Sequence, residues 1–269
     1  MLVKLTEKCS MGCSHCFSNC TSTGKDMSMG VFLDVLDFYE RTSQNGAFMI
    51  SGGEPSENPM FFNMASIVIE RFSNSNHAII ITTNGWWIEK NPDSCRKLLN
   101  YAVMKNCKLI IQVTNDRRYY PIRINIPADL RKRKEIFING CSGLVAQGRA
   151  LDNYTIGDFT NKCPGCFNAL LIARQLYFKG GNLKCYLASL TGNGKFCSPQ
   201  ISVTGDIKAG ESDLCPPISS IYESDSKIFE KISLFSCNKC KQGYNFLKKY
   251  NYEAYNLFLI LGRIRKCDY

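Results

Sequence analysis

The stretch from Cys9 to Cys16, read Cys-Ser-Met-Gly-Cys-Ser-His-Cys, puts three thiols in a C-x3-C-x2-C pattern directly after a short apolar run. Three thiolates that close together can converge on one soft metal centre, and the fold has to be built around the loop that carries them. On a four-iron cube, three protein ligands leave one iron open to something the chain does not supply. A structural zinc knuckle normally closes with a fourth ligand and favours C-x2-C pairs, so the C-x3-C spacing argues for the cluster.

The cysteine count points the same way. Fifteen cysteines among 269 residues are an excess, and an odd number in a reducing compartment suggests metal ligation rather than a disulfide framework. Charges begin too early at the N-terminus for a signal peptide, and the longest apolar runs, near Ala78 and Leu257, are too short to span a bilayer. A soluble cytoplasmic protein with no membrane partner is expected. The formal charge of +10 permits an anionic partner. However, loading a three-thiolate and a four-thiolate cluster would lower it to roughly +7. The densest basic segment, Arg131 to Lys134, is short enough to be a solvated helix face, so nucleic-acid binding is not expected.

Along the chain, strand and helix patterns alternate. Leu2 to Leu5 reads as a strand, and the loop from Thr6 to Met27 holds the first cysteines and Cys20. Val31, Phe32, Val35, Leu36 and Tyr39 then give the spacing of an amphipathic helix over Ser28 to Gln44, with Ser28 as N-cap. Ala47 to Ser51 is a second strand, ending in Gly52-Gly53-Glu54-Pro55, and a helix is expected from Pro59 to Phe72. Ala78 to Thr83 is a third strand that stops at Asn84-Gly85. Asp93 to Met104 is a helix, Lys108 to Thr114 a fourth strand that stops at Asn115-Asp116, and Glu135 to Asn139 a candidate fifth. This alternation argues for parallel strands joined by crossover helices. The segment Arg117 to Pro127 is aromatic and basic without clear period. Cys166 to Phe178 looks helical, and short β-like runs follow at Lys184 to Leu190 and Ile201 to Ile207. A domain boundary is expected near Gly180, dividing the chain into 1–180 and 181–269.

Two glycines in the Gly-Gly-Glu-Pro turn allow close backbone approach to a ligand, and Glu54 offers an acceptor for an ammonium group at a strand end where open α/β folds place their sites. By the same positional logic Thr114 and Asn115 are candidates for ribose or carboxylate contacts. Histidine is confined to His15 and His77, which leaves little for a histidine metalloenzyme or a histidine-assisted nucleophile.

Together, Cys9, Cys13 and Cys16 after strand one, Gly52-Gly53-Glu54-Pro55 after strand two and Thr83-Asn84-Gly85 after strand three resemble the radical S-adenosylmethionine (SAM) superfamily over at least residues 1–150. The resemblance implies a partial (β/α)6 TIM-like barrel. It implies that the three cysteines hold a [4Fe-4S] cluster whose open iron is chelated by the amino and carboxylate groups of SAM. His15 departs from the aromatic residue usual before the last cysteine, and its ring can still stack near adenine. Arg149 matches a Gly-Arg found in many relatives, with a cofactor contact and a surface salt bridge as its two readings.

Further along, Cys197, Gly210, Cys215 and the C-x2-C pair Cys237 and Cys240 resemble the twitch or SPASM extension of radical enzymes. That resemblance implies a small C-terminal α+β module with one auxiliary [4Fe-4S] cluster. Closely spaced cysteines do not follow Cys240, so the shorter twitch form fits better. Four thiolates would close that cluster and suit it to electron transfer, with a zinc ribbon as the alternative. Cys163 and Cys166 form another C-x2-C pair, which could complete a metal site or be two buried small residues.

The expected activity is therefore reductive cleavage of SAM to a 5′-deoxyadenosyl radical, hydrogen abstraction from a substrate, and net oxidation with electron transfer to the auxiliary cluster. An external low-potential donor of the flavodoxin or ferredoxin kind would supply the first electron. Only eight residues precede Cys9, which leaves no room for an N-terminal peptide-recognition or cobalamin domain and tilts the expectation toward a small-molecule substrate or a peptide brought by a partner. The alternatives are a peptide-modifying maturase that crosslinks or epimerises residues and, from another class, a zinc-stabilised nucleic-acid-binding protein.

Overall fold

A computed structural model describes residues 1–16, 18–42, 47–115, 118–139, 144, 148–154, 200–208 and 217–234. The helices and strands expected up to Asn139 are present. Strands β1 (Leu2–Thr6), β2 (Phe48–Gly52), β3 (Ala78–Thr83), β4 (Lys108–Thr114) and β5 (Ile136–Asn139) alternate with α1 (Met29–Thr42), α2 (Phe61–Arg71), α3 (Trp86–Lys90), α4 (Pro92–Met104) and α5 (Ala128–Arg131). After α6 (Ala150–Asn153) come β6 (Gln200–Ile201), β7 (Asp206–Lys208), β8 (Pro217–Ser220) and α7 (Asp225–Leu234).

Among the described residues these strands form one sheet in the order β5-β4-β3-β2-β1-β6-β7-β8. Neighbours from β5 through β6 run parallel, and β7 and β8 are antiparallel additions. Each crossover from β1 to β5 adds its strand on the same side. A doubly wound sheet would reverse direction, whereas this order is that of a barrel laid open. The mixed α/β fold with a parallel sheet is that of a partial TIM-like barrel. The boundary near Gly180 lies outside the described residues, as does the helix expected over Cys166 to Phe178. Beyond that boundary, β6 joins the same sheet by pairing Leu2 with Gln200 and Val3 with Ile201.

The sheet presents two unlike faces. Val3, Leu5, Phe48, Ile50, Ile79, Ile81, Leu109, Ile111 and Val113 are buried in one cluster with Phe32, Val35, Leu36, Met64, Val68, Leu98 and Leu99 of the helices. The alternate residues form the other face. There Lys4 stands opposite Ser51, Thr82 opposite Gln112, and Gln112 opposite Phe137. A polar band thus crosses β1 to β4 on the side turned away from the helix core and ends at Phe137 of β5.

Local chemistry fixes the elements that hold the site. Ser28 caps α1 by accepting the Val31 amide at 3.3 Å. Asn58, just before α2, donates from Nδ2 to the carbonyls of Leu5 at 2.8 Å and Met27 at 3.0 Å, tying the helix entry to β1 and to the end of the cysteine loop.

Candidate active site

The cysteine loop leaves the C-terminal end of β1 and is strapped down on both sides. The Cys9 amide donates to Thr21 O at 2.7 Å, and the Glu7 amide donates to Lys25 O at 2.8 Å. Lys8 pairs with Asp26, and Thr6 Oγ1 donates to the same carboxylate at 2.6 Å. From β2, the Gly53 and Glu54 amides reach Thr6 O and Lys8 O, both at 2.8 Å. This close approach is what the glycines make possible. A Cβ on Gly53 would stand 2.0 Å from Lys8 O, and one on Gly52, where φ is +142°, would stand 2.4 Å from Thr6 O. Gly52 and Gly53 thus abut the chain that carries Cys9.

Glu54 is also turned inward. Only 2% exposed, its carboxylate accepts from Thr83 Oγ1 at 2.8 and 2.9 Å, from the Asn84 amide at 2.8 Å and from Ser56 Oγ at 2.8 Å. Burial pushes its carboxyl above the ordinary glutamate value, against the pull of those donors. Pro55 opens the 3-10 turn Pro55–Glu57, for which Glu54 is the cap. Thr83 is equally committed, since its oxygen also accepts from the Gly85 amide and from Trp87 Nε1, both at 3.0 Å. Asn84 Oδ1 caps Trp86, while its Nδ2 lies 4.0 Å from Cys9 Sγ.

The opposite side is formed by β4, the following loop and α6. Thr114 Oγ1 donates to Thr83 O at 3.1 Å and shares a 2.8 Å hydrogen bond with Tyr120 Oη. Asn115 Nδ2 donates to Ile124 O at 3.3 Å, but its buried Oδ1 has no partner among the described residues. His15 lies against Tyr119, with ring centroids 4.8 Å apart, and Tyr119 meets Tyr154 edge-on at 5.4 Å. Tyr154 in turn bonds Ser14 Oγ, and Asn153 Nδ2 donates to Ser14 O at 2.9 Å. Arg149 is half-buried against the loop and forms no surface ion pair among the described residues. Its amide donates to Cys16 O at 2.9 Å and its guanidinium to Cys20 O at 2.8 Å, while the buried Nε has no partner there. The aromatic run after Thr114 was visible in the sequence, but its lack of period hid the placing of Tyr119 and Tyr120 against His15.

The three thiols are partly buried in very different settings. Burial raises Cys9 to about 11 and Cys13 to about 12. Cys16 is held well below an ordinary thiol by hydrogen bonding with the Cys20 thiol, helped by Arg149 and the Ser18 and Cys20 backbone. No three His, Cys, Asp or Glu side chains among the described residues are gathered tightly enough to hold a single metal ion. Three soft thiolates on one loop are the protein donors that a four-iron cube with one open corner takes, so this donor set fits a cluster. SAM fits the same end of the sheet: Asn115 Oδ1 can accept from a ribose hydroxyl, Arg149 Nε can donate to a carboxylate, and the His15 and Tyr119 rings offer a surface for adenine.

Residues 3–139 match the Radical SAM superfamily. The chain belongs to that superfamily. Its members are enzymes built around SAM and a [4Fe-4S] cluster. Among solved structures, the radical SAM fold of this chain is similar to that of BtrN in complex with AdoMet and 2-DOIA. The two are 14% identical with a TM-score of 0.56, over 86% of this chain and 82% of that one. A weaker likeness links it to anSMEcpe with bound AdoMet and the Cp18Cys peptide, at 13% identity and a TM-score of 0.42, over 90% and 81% of the two chains. No curated protein sequence matches this radical SAM chain. No helix among the described residues is long and apolar enough to cross a membrane. Cys197, Cys215, Cys237 and Cys240 of the auxiliary set, and Cys163 and Cys166, lie outside the described residues.

Proposed function

We propose that this radical SAM enzyme removes a hydrogen atom from a small polar molecule and oxidises it overall. Cys9, Cys13 and Cys16 would hold the [4Fe-4S] cluster, and Asn115, Arg149, His15 and the backbone around Gly52 to Asn84 would seat SAM. When bound, these groups supply a 5′-deoxyadenosyl radical, so the chain's own task is to place the substrate and keep water away. An auxiliary cluster on Cys197, Cys215, Cys237 and Cys240 would take up the product electron, and an external low-potential flavodoxin or ferredoxin in the cytoplasm would provide the first one.

The observation that carries this proposal is the strapping of a three-thiol loop across the strand ends from an unpartnered Asn115 acceptor. The face beneath supports the choice of substrate class. Lys4, Ser51, Thr82 and Gln112 line it, and Gln200 of β6, paired with Leu2 of β1, has a buried Nε2 without a partner among the described residues. Lys4 lies two residues below the end of β1, about 7 Å along the strand. A substrate reaching from the cofactor onto this band meets hydrogen-bonding groups, which suits a hydroxyl-bearing small molecule. BtrN, crystallised with AdoMet and 2-DOIA, lends the same direction to the choice of first substrates.

The test is anaerobic reconstitution followed by dithionite and SAM. The protein should release 5′-deoxyadenosine, and Cys9→Ala, Cys13→Ala and Cys16→Ala should each abolish it. Undiminished release from these variants would refute the assignment. Polyhydroxylated and aminocyclitol compounds should then be screened for those that accelerate release and return an oxidised product.

A further inference from the structure

The segment between Cys9 and Cys13 is gripped by a carboxylate that the three-ligand reading does not use. Cys9 is fixed by its amide on Thr21 O at 2.7 Å, after which Ser10 lies exposed and Met11 enters the core at 2% exposure. Gly12 then turns the chain in the left-handed region, with φ of 64°. Glu57 takes both donors of Ser10: Oε1 accepts the amide at 2.6 Å and Oε2 the hydroxyl at 3.0 Å. It is itself fixed as the last residue of the 3-10 turn Pro55–Glu57, with its amide on Glu54 O at 2.9 Å. The clamp joins the turn after β2 to the residue next to Cys9. Among the described residues no lysine or arginine pairs with Glu57, whereas Lys8, on the other side of Cys9, is matched by Asp26.

We infer that Glu57 is a positioning residue that keeps the redox potential of the cluster low through its clamp on Ser10. An unneutralised negative charge held next to a ligand disfavours the form with one more electron. The clamp also commits the Ser10 N–H to a carboxylate, so that this amide does not donate to a ligand sulfur, where a hydrogen bond would favour the reduced cluster. Both effects lower the midpoint potential. The reduced cluster thereby becomes the stronger electron donor to SAM. This inference rests on the assignment of a [4Fe-4S] cluster to Cys9, Cys13 and Cys16.

The test compares the reconstituted wild-type protein with Glu57→Gln, which keeps an acceptor for the Ser10 amide but removes the charge, and with Glu57→Ala, which removes both. Iron content and electron paramagnetic resonance (EPR) are followed through an anaerobic redox titration, and the SAM-sensitive signal identifies the relevant cluster. Glu57→Gln should load that cluster as wild type does yet show about a threefold higher ratio of reduced to oxidised form at fixed potential, about 28 mV for one electron. Glu57→Ala should shift the ratio at least as far and lose iron faster to a chelator. An unchanged or lowered potential in loaded Glu57→Gln would overturn the proposal while leaving the cluster assignment intact. Failure of Glu57→Gln to load iron would overturn it too, because the carboxylate would then be needed to assemble the site. A wild-type protein without a SAM-sensitive signal would instead refute the underlying assignment.

Discussion

The two sides of the candidate site differ in how much of their polar chemistry is already satisfied by the protein. On the β2 and β3 side, Glu54 and Thr83 are buried and bonded to one another, to Ser56, to the Asn84 amide and to Trp87. On the β4 and α6 side, Asn115 Oδ1 and Arg149 Nε are buried without partners among the described residues, beside the ring surface of His15 and Tyr119. The first side is a scaffold for the cysteine loop; the second also holds that loop, through Arg149 and Asn153, and in the function proposed above its unpartnered atoms would meet SAM. Side chains that read alike in the sequence, each polar and each at a strand end, therefore have separate tasks. Changes on the scaffold side should lower stability and cluster loading together, whereas changes on the open side should lower SAM affinity in a protein that remains folded.

The largest effect expected on this basis comes from Gly53→Ala. Its new Cβ would meet Lys8 O at 2.0 Å, and backbone on both sides would have to move. Denaturant unfolding should show a loss of about 3 kcal/mol, with most of the bound iron lost as well. A stable, fully loaded Gly53→Ala protein would break the scaffold half of the comparison. Next is Glu54→Ala, which leaves the Asn84 amide and the Thr83 hydroxyl without their acceptor and should cost about 2 kcal/mol.

Glu54→Gln sharpens the same point through pH. Because burial raises the folded-state pKa, the folded protein binds the Glu54 proton more tightly than the unfolded chain does. The contribution of this group to stability is present in full below the unfolded value, about 4.3, and falls as pH rises toward the native one. Unfolding free energies of wild type measured upward from pH 4 should fall relative to Glu54→Gln. A difference that stays constant with pH would show that folding leaves the pKa of this carboxyl where it is in the unfolded chain. The smallest effect is expected from Asn115→Ala, about fivefold weaker SAM binding by isothermal titration, for the loss of one hydrogen bond, with unchanged unfolding. Loss of stability instead would place Asn115 on the scaffold side.

Much of this architecture was legible before any coordinates. Ala78 to Thr83 and Lys108 to Thr114 announce themselves as strands because their branched apolar residues suit a sheet, and both appear with those bounds. The location of the site was legible for the same reason: the cysteine motif and the Gly-Gly-Glu-Pro and Thr-Asn-Gly turns all follow strands. What could not be read was the direction of each side chain at those ends. Glu54 looks available in the sequence, and only the arrival of Thr83 and Asn84 from a neighbouring strand consumes its oxygens. The band from Lys4 to Gln112 depends on register between strands far apart in sequence, which no local pattern encodes. One stretch does carry a local signal. The β-like run Ile201 to Ile207 is two short strands around Gly205, where φ is +84°, and a glycine preceded by threonine inside such a run is a turn signal.

The central claim is that Cys9, Cys13 and Cys16 hold a four-iron cluster with one iron open to SAM. EPR spectroscopy of the reduced, anaerobically reconstituted protein tests it most directly. The account predicts a [4Fe-4S]+ signal that changes when SAM is added, and the loss of that SAM-sensitive component in Cys13→Ala. Zinc in place of iron in the reconstituted protein, or a SAM-sensitive signal that survives in Cys13→Ala, would contradict it.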